Sequence, residues 1–119
     1  DKLKNNPLIR IPKPPKNITH AWYKFYGFIN HKLLKSDWSR ERILEELYFE
    51  NIVAYSGSCG EIYLEKCFKD SSYYPDEYLP TARELGLTSL MLLIDQTISE
   101  DSIHRTAEVL DKVLKRALK

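Results

Sequence analysis

Long apolar runs, cysteine, glycine and an excess of either charge are all scarce in this sequence, and each shortage narrows what the chain can be. No apolar run approaches the ~20 residues of a membrane-spanning helix. The longest apolar-rich segment, Leu85 to Ile94, is interrupted by Gly86, Thr88 and Ser89, and no signal-peptide pattern is present. The expectation is therefore no membrane partner. Two cysteines, Cys59 and Cys67, do not make a secreted disulfide framework, and a reducing, cytoplasmic setting follows as the expectation. Eighteen basic residues against seventeen acidic leave a net charge of +1. That offers no large basic excess to pair with phosphates, so no nucleic-acid partner is expected. His20, His31 and His104 are scattered, and none stands at metal-ligand spacing with a Cys or carboxylate; no metal site is expected, because zinc needs three or four converging ligands. A phosphate loop with its Lys and Ser/Thr is missing, as is a Ser-His-Asp set.

What is present is enough for one domain of ordinary composition, 119 residues with 43% hydrophobic side chains. The chain begins at Asp1, stays polar, and then carries Pro7, Pro12, Pro14 and Pro15. This is connector composition, since each proline biases its predecessor toward extended backbone. Residues 1–18 read as an extended connector from a larger domain, with Leu8, Ile9 and Ile11 against a neighbour, and 19–119 as the domain proper. His20 to Asn30 reads as an aromatic-rich strand with both faces partly covered. Ser39 to Glu50 reads as a helix. Ser39 is its N-cap, Trp38 and Ile43 a hydrophobic staple, Ile43, Leu44, Leu47 and Tyr48 its stripe, and Asn51 its left-handed stop.

Ile52 to Tyr55 follows as a buried strand. Residues 70–78 form a polar, Tyr-rich loop, and a short helix starts at Pro80 and ends at Gly86. Thr88 to Ile94, apolar on both parities, reads as a central strand. The last helix is capped by Ser99, stapled by Ile98 and Ile103, and lined by Ile103, Ala107, Leu110, Leu114 and Ala117. Lys112, Lys115, Arg116 and Lys119 gather at its C-terminal end, where positive charge is favoured. The sum is an α/β (α+β) domain: a small sheet of about three strands with helices on one face.

The stretch that draws attention chemically is Ser56-Gly57-Ser58-Cys59-Gly60-Glu61. Gly57 and Gly60 permit a sharp turn or close backbone approach, and small polar groups lie between them. Ser56, Gly57, Ser58, Cys59 and Glu61 are the candidate substrate-facing or domain-interface residues. Cys59 could present a thiolate from such a loop; a tight turn whose side chains bond its own backbone explains the same residues more simply. Cys67, among apolar neighbours, reads as an inert core thiol.

Taken in order, His20-Ala21-Trp22-Tyr23-Lys24-Phe25-Tyr26, Asp37-Trp38-Ser39-Arg40, Ser56 to Lys66, Leu79-Pro80-Thr81-Ala82-Arg83-Glu84-Leu85-Gly86 and Thr88-Ser89-Leu90-Met91 resemble the C-terminal part of the DegT/DnrJ/StrS family of nucleotide-sugar aminotransferases. The resemblance runs from about Ile11 to Leu118. It implies the small domain of an aspartate-aminotransferase-fold enzyme that uses pyridoxal 5'-phosphate. It also implies that a preceding large domain supplies the Schiff-base lysine, the carboxylate facing the pyridine nitrogen and most of the phosphate cradle. None of those motifs is here, so no catalytic or cofactor-binding residue is assigned, and this part alone is expected to be inactive. The implied reaction transfers an amino group from an amino acid, usually glutamate, to a keto nucleotide-sugar for surface-polysaccharide or related sugar synthesis. A homodimer is implied for the whole enzyme.

Two departures stand out. Asp95-Gln96 replaces a His-Pro common in relatives, and Gly60 stands where another Ser is common. Two rival readings remain: a non-catalytic binding or regulatory module, and the small domain of a cysteine desulfurase using Cys59.

Overall fold

Antiparallel pairing of Lys24–Ile29 (β2) with Ser89–Leu93 (β4) builds the centre of the molecule, in register from Lys24 opposite Leu93 to Phe28 opposite Ser89. The computed structural model describes residues 2–119; Asp1, the first residue of the expected connector, lies outside them. Two short strands flank the central pair. Ile9–Arg10 (β1) lies antiparallel beside the far end of β2, and Ala54–Tyr55 (β3) beside β4. The sheet order is β1-β2-β4-β3. Three helices complete the chain: Arg40–Phe49 (α1), Pro80–Thr88 (α2) and Glu100–Ala117 (α3). This is the expected α+β sheet-and-helix domain, with β4 central and one strand more than the sequence suggested. The extra strand is β1, whose two residues lie between prolines and carry too little pattern to read as a strand.

Strand alternation divides the sheet into two faces. Phe25, Gly27 and Ile29 share a face with Leu90 and Leu92. Ile29 and Leu90 are buried there with Ile43 and Leu47 of α1, Ile52, and Val109, Leu110, Val113 and Leu114 of α3. Tyr26, Phe28, Ser89 and Met91 point the other way. The N-terminal stretch belongs to this body: its backbone turns between residues 2 and 8, and Leu3, Leu8 and Ile9 are core residues of the domain itself. Asn6 fixes it. Its amide donates to Asp111 Oδ1 at 2.9 Å, and its side-chain oxygen accepts from the Leu8 N–H at 3.0 Å. The Lys115 ammonium, 2.6 Å from Asp111 Oδ2, is the main reason the Asp111 carboxyl titrates below its usual range, with Asn6 adding to it.

The helix ends follow the cap residues. Ser39 Oγ accepts from the Arg42 N–H at 3.1 Å, and Ser99 Oγ from the Ser102 N–H at 3.2 Å, each satisfying a first-turn donor. Asn51 adopts φ 58° just past α1, the left-handed stop expected of it. Trp38 packs on the core, with the guanidinium of Arg42 4.5 Å from its ring centroid.

Several sequence expectations are corrected by packing. Tyr48 is exposed rather than part of the α1 stripe; Ile43 and Leu47 are buried in the core and Leu44 packs against it half-buried. On α3 the buried side includes Val109 and Val113, whereas Ile103 is 53% exposed, since it stands on the wall of an open groove. Gly86 does not end α2, which continues to Thr88; the missing side chain serves a contact described below. The β2 ladder starts at Lys24 rather than His20, after Trp22 takes the left-handed φ of 51°. Only Ala54 and Tyr55 of Ile52 to Tyr55 pair as a strand.

If Leu110, fully buried, anchors the α3 face, Leu110→Ala lowers unfolding free energy by about 2–5 kcal/mol, while Ser39→Ala costs ~1 kcal/mol. Urea unfolding of the two variants beside the parent measures both. Equal, small losses would remove Leu110 from the core as drawn.

Candidate functional site at the glycine loop

The segment after β3 crosses the sheet face opposite α1 and α3, and Tyr26 and Ser89 hold it there. Ser89 Oγ donates to the Ser56 carbonyl at 2.6 Å. The Tyr26 hydroxyl accepts from the Ser58 N–H at 3.3 Å and lies 3.2 Å from Ser58 Oγ. Gly57 turns the chain between these two anchors with φ 103°. A Cβ at that position would also stand 2.8 Å from the Tyr26 ring, so both backbone and space require glycine. At the far end of the loop Gly60 meets Gly86 of α2: a Cβ on Gly60 would lie 2.4 Å from the Gly86 Cα. The loop thus touches β2, β4 and α2 at once. Arg40, at the start of α1, completes the frame by donating to the Gly86 carbonyl at 2.6 Å.

The five sequence-selected residues therefore have different roles in the geometry. Gly57 forms the turn. Ser58 is occupied by Tyr26. The Ser56 side chain is exposed and makes no hydrogen bond among the described residues, although its carbonyl is bound. Glu61 is half-buried and accepts from the Tyr63 hydroxyl at 2.7 Å, while that hydroxyl also accepts from the Leu79 N–H at 3.1 Å. Cys59 is exposed and directs its thiol at Glu65 Oε1, 3.4 Å away. That hydrogen bond, more than desolvation, raises the thiol pKa. A nucleophilic cysteine needs the reverse, a neighbourhood that favours thiolate. The tight-turn reading accounts for most of the loop, and Ser56 is the member whose hydroxyl stays available.

Cys67 is exposed, not a core thiol. It lies in the short 3-10 turn Lys66–Phe68, in which Phe68 is the half-buried residue. Asp95, at the position of the His-Pro departure, accepts from the Thr97 N–H at 2.7 Å and from the Thr97 hydroxyl. These bonds hold its carboxyl below the usual range and shape the turn into α3. Tyr26, Ser89, Arg40 and Gly86 were invisible as loop partners in the sequence. One signal was there: three of the four glycines, Gly57, Gly60 and Gly86, converge on this contact.

No protein-family model and no curated protein matches the chain. Solved structures do. The aminotransferase from Psychrobacter cryohalolentis superposes with a TM-score of 0.79 at 40% identity, over 83% of this chain and 25% of that one. The aminotransferase TlmJ from Streptoalloteichus hindustanus gives 0.78 at 16% identity, over 97% and 28%. A DegT DnrJ EryC1 StrS aminotransferase from Brucella abortus gives 0.73 at 19% identity, over 93% and 27%. The latter two similarities speak to the fold. The chain spans about a quarter of the length of the aminotransferases it matches.

Because the Gly60 neighbour is backbone, Gly60→Ala must push the loop off α2, at about 1–3 kcal/mol. The check is thermal unfolding together with hydrogen exchange at 56–61; unchanged exchange would refute the contact. Alkylation gives a separate reading of Cys59. Iodoacetamide at pH 8 is expected to modify Cys59 more slowly than a short unstructured peptide carrying the same cysteine, and Glu65→Gln to speed it. A rate unaffected by Glu65→Gln would mean that the carboxylate does not hold the thiol.

Proposed function

We propose, from the premise that this chain is the C-terminal domain of a DegT/DnrJ/EryC1/StrS-type aminotransferase, that it closes one side of a substrate cleft in a larger enzyme. That enzyme moves an amino group from an amino acid, with glutamate the expected donor, to a keto sugar carried on a nucleotide. The observation that carries this reading is the 40% identity to an aminotransferase across 83% of the chain at a TM-score of 0.79. Fold alone would not suffice, because one fold serves many activities.

In this reading no residue of the domain is assigned to pyridoxal phosphate. Lys24 is the one half-covered lysine, lying over the Tyr23 ring, and the others are exposed. Lysines that react with carbonyls are typically enclosed in an apolar pocket or set beside another cation, whereas these lie at the surface. In this proposal the larger region holds the cofactor, which supplies the electron sink for amino transfer. This domain contributes binding and orientation at the boundary between the two, where ligand sites concentrate. The glycine loop is the element suited to that task. Tyr26, Ser89 and Gly86 fix it at three points, and it turns the Ser56 hydroxyl outward as a donor for a sugar hydroxyl or donor carboxylate. Such rigidity keeps the ordering cost of binding small.

The test uses the full-length polypeptide. Borohydride reduction is expected to fix pyridoxal phosphate to a lysine outside residues 1–119, and glutamate is expected to support amination of a keto nucleotide-sugar. Ser56→Ala then raises KM for one of the two substrates with the cofactor still bound. Failure to take up pyridoxal phosphate would overturn the enzyme reading and leave a binding or regulatory module. Cofactor uptake with unchanged kinetics for Ser56→Ala would remove the loop from the cleft.

A further inference from the structure

One concavity of the domain lies away from the glycine loop. It is an apolar groove of about 470 Å³ between the first turns of α3, the end of β4 and the N-terminal stretch. Leu93, Ile94, Ile98 and Ile103 line it, and they are 48%, 43%, 37% and 53% exposed. Ile103 stands in the first turn of amphipathic α3, on the kind of apolar stripe that normally faces a partner. Ile94, Ile98 and Ile103 together leave an unpartnered apolar surface of the sort that marks an interaction site.

The rim has a sign. Lys2, Lys4 and Lys13 stand around the groove against the one carboxylate of Asp95. Lys2 is paired with Glu108, whereas Lys4 and Lys13 make no ion pair among the described residues. Asp95 is held by Thr97. The rim thus presents uncompensated positive charge beside an apolar floor.

We propose that this groove is the seat of an apolar segment bearing Asp or Glu at its flanks, contributed by the larger region of the same polypeptide. The inference rests on the aminotransferase reading for the existence of that region, since the greater part of each matched chain lies outside the match. Two observations choose the occupant. The apolar floor calls for aliphatic or aromatic side chains. The lysine rim calls for carboxylates, because like charge at an interface is rejected and opposite charge fixes register. A partner in cis also suits the location, as the N-terminal stretch itself forms one wall. The groove is therefore an interdomain joint, and the glycine loop, on the other face of the sheet, stays available for ligands.

The experiment is run on the full-length polypeptide, with two readouts. Zero-length carbodiimide cross-linking followed by peptide mass mapping is expected to join Lys4 or Lys13 to a carboxylate outside residues 1–119. In separate Ile98→Cys and Ile103→Cys variants, maleimide labelling is expected to run at least tenfold slower than at a Tyr73→Cys control, Tyr73 being 77% exposed. Cross-links confined to this domain, or joining two copies in a mixture of isotopically light and heavy protein, overturn the proposal. So does labelling at the control rate. Borohydride fixation of pyridoxal phosphate on the same preparation separates the two ideas. Cofactor present with a fast-labelling groove defeats the joint alone, and a protected, cross-linked groove without cofactor defeats the aminotransferase reading alone.

Discussion

The ladder between β2 and β4 is the constraint on which the rest of the domain depends. It joins residues more than sixty positions apart, and every other element is placed by one of its sides. β1 adds to the outer edge of β2, and β3 to the outer edge of β4. The face with Ile29 and Leu90 collects α1 and α3 into a single apolar core. The face with Tyr26 and Ser89 collects the glycine loop. A one-residue slip in this register would exchange the two faces. Leu90 and Leu92 would then point at the loop, and Ser89 would be buried against α1 and α3 without the Ser56 carbonyl it now bonds. Burial on one face and hydrogen bonding on the other therefore select the same register.

This two-sidedness lets so small a domain be tied tightly at the glycine loop and open at the groove. The loop is tied by a tyrosine hydroxyl, a serine hydroxyl and a glycine–glycine approach, each from a different element. Such contacts cost little area and leave few side chains free to move. The far end of α3 is the opposite case. Its later turns are packed, whereas its first turns expose Ile103 over a groove without an element across it. Exposed aliphatic surface of that kind is what the proposed interdomain contact would cover.

The chemistry of the loop separates it from a nucleophile site. Cys59 has the exposure a reactive thiol needs, but it faces a carboxylate, and the thiolate would meet like charge there. Glu61 and Tyr63 likewise satisfy each other and the backbone of Leu79. The Ser56 hydroxyl is left without a hydrogen-bond partner among the described residues.

Local signals determined the helices. Ser39, Asn51, Pro80 and Ser99 act within a few residues of themselves, so their capping and stopping roles were legible from the sequence, as was β4 from its apolar character on both parities. The candidate loop was legible too, since glycines bracketing small polar residues require special backbone wherever they occur. What the loop would touch was not. Tyr26, Ser89, Arg40 and Gly86 are remote in sequence, and nothing in their spacing encodes that a hydroxyl from β2 would reach Ser58 or that α2 would run through Gly86 with a missing Cβ as its contact. Tertiary structure also decided that Leu3 and Leu8 join the core, that Tyr48 and Cys67 face solvent, and that Ile103 stands over a groove. Periodicity marks an apolar side of a helix, but only the length of the sheet beneath it decides which turns of that side are covered.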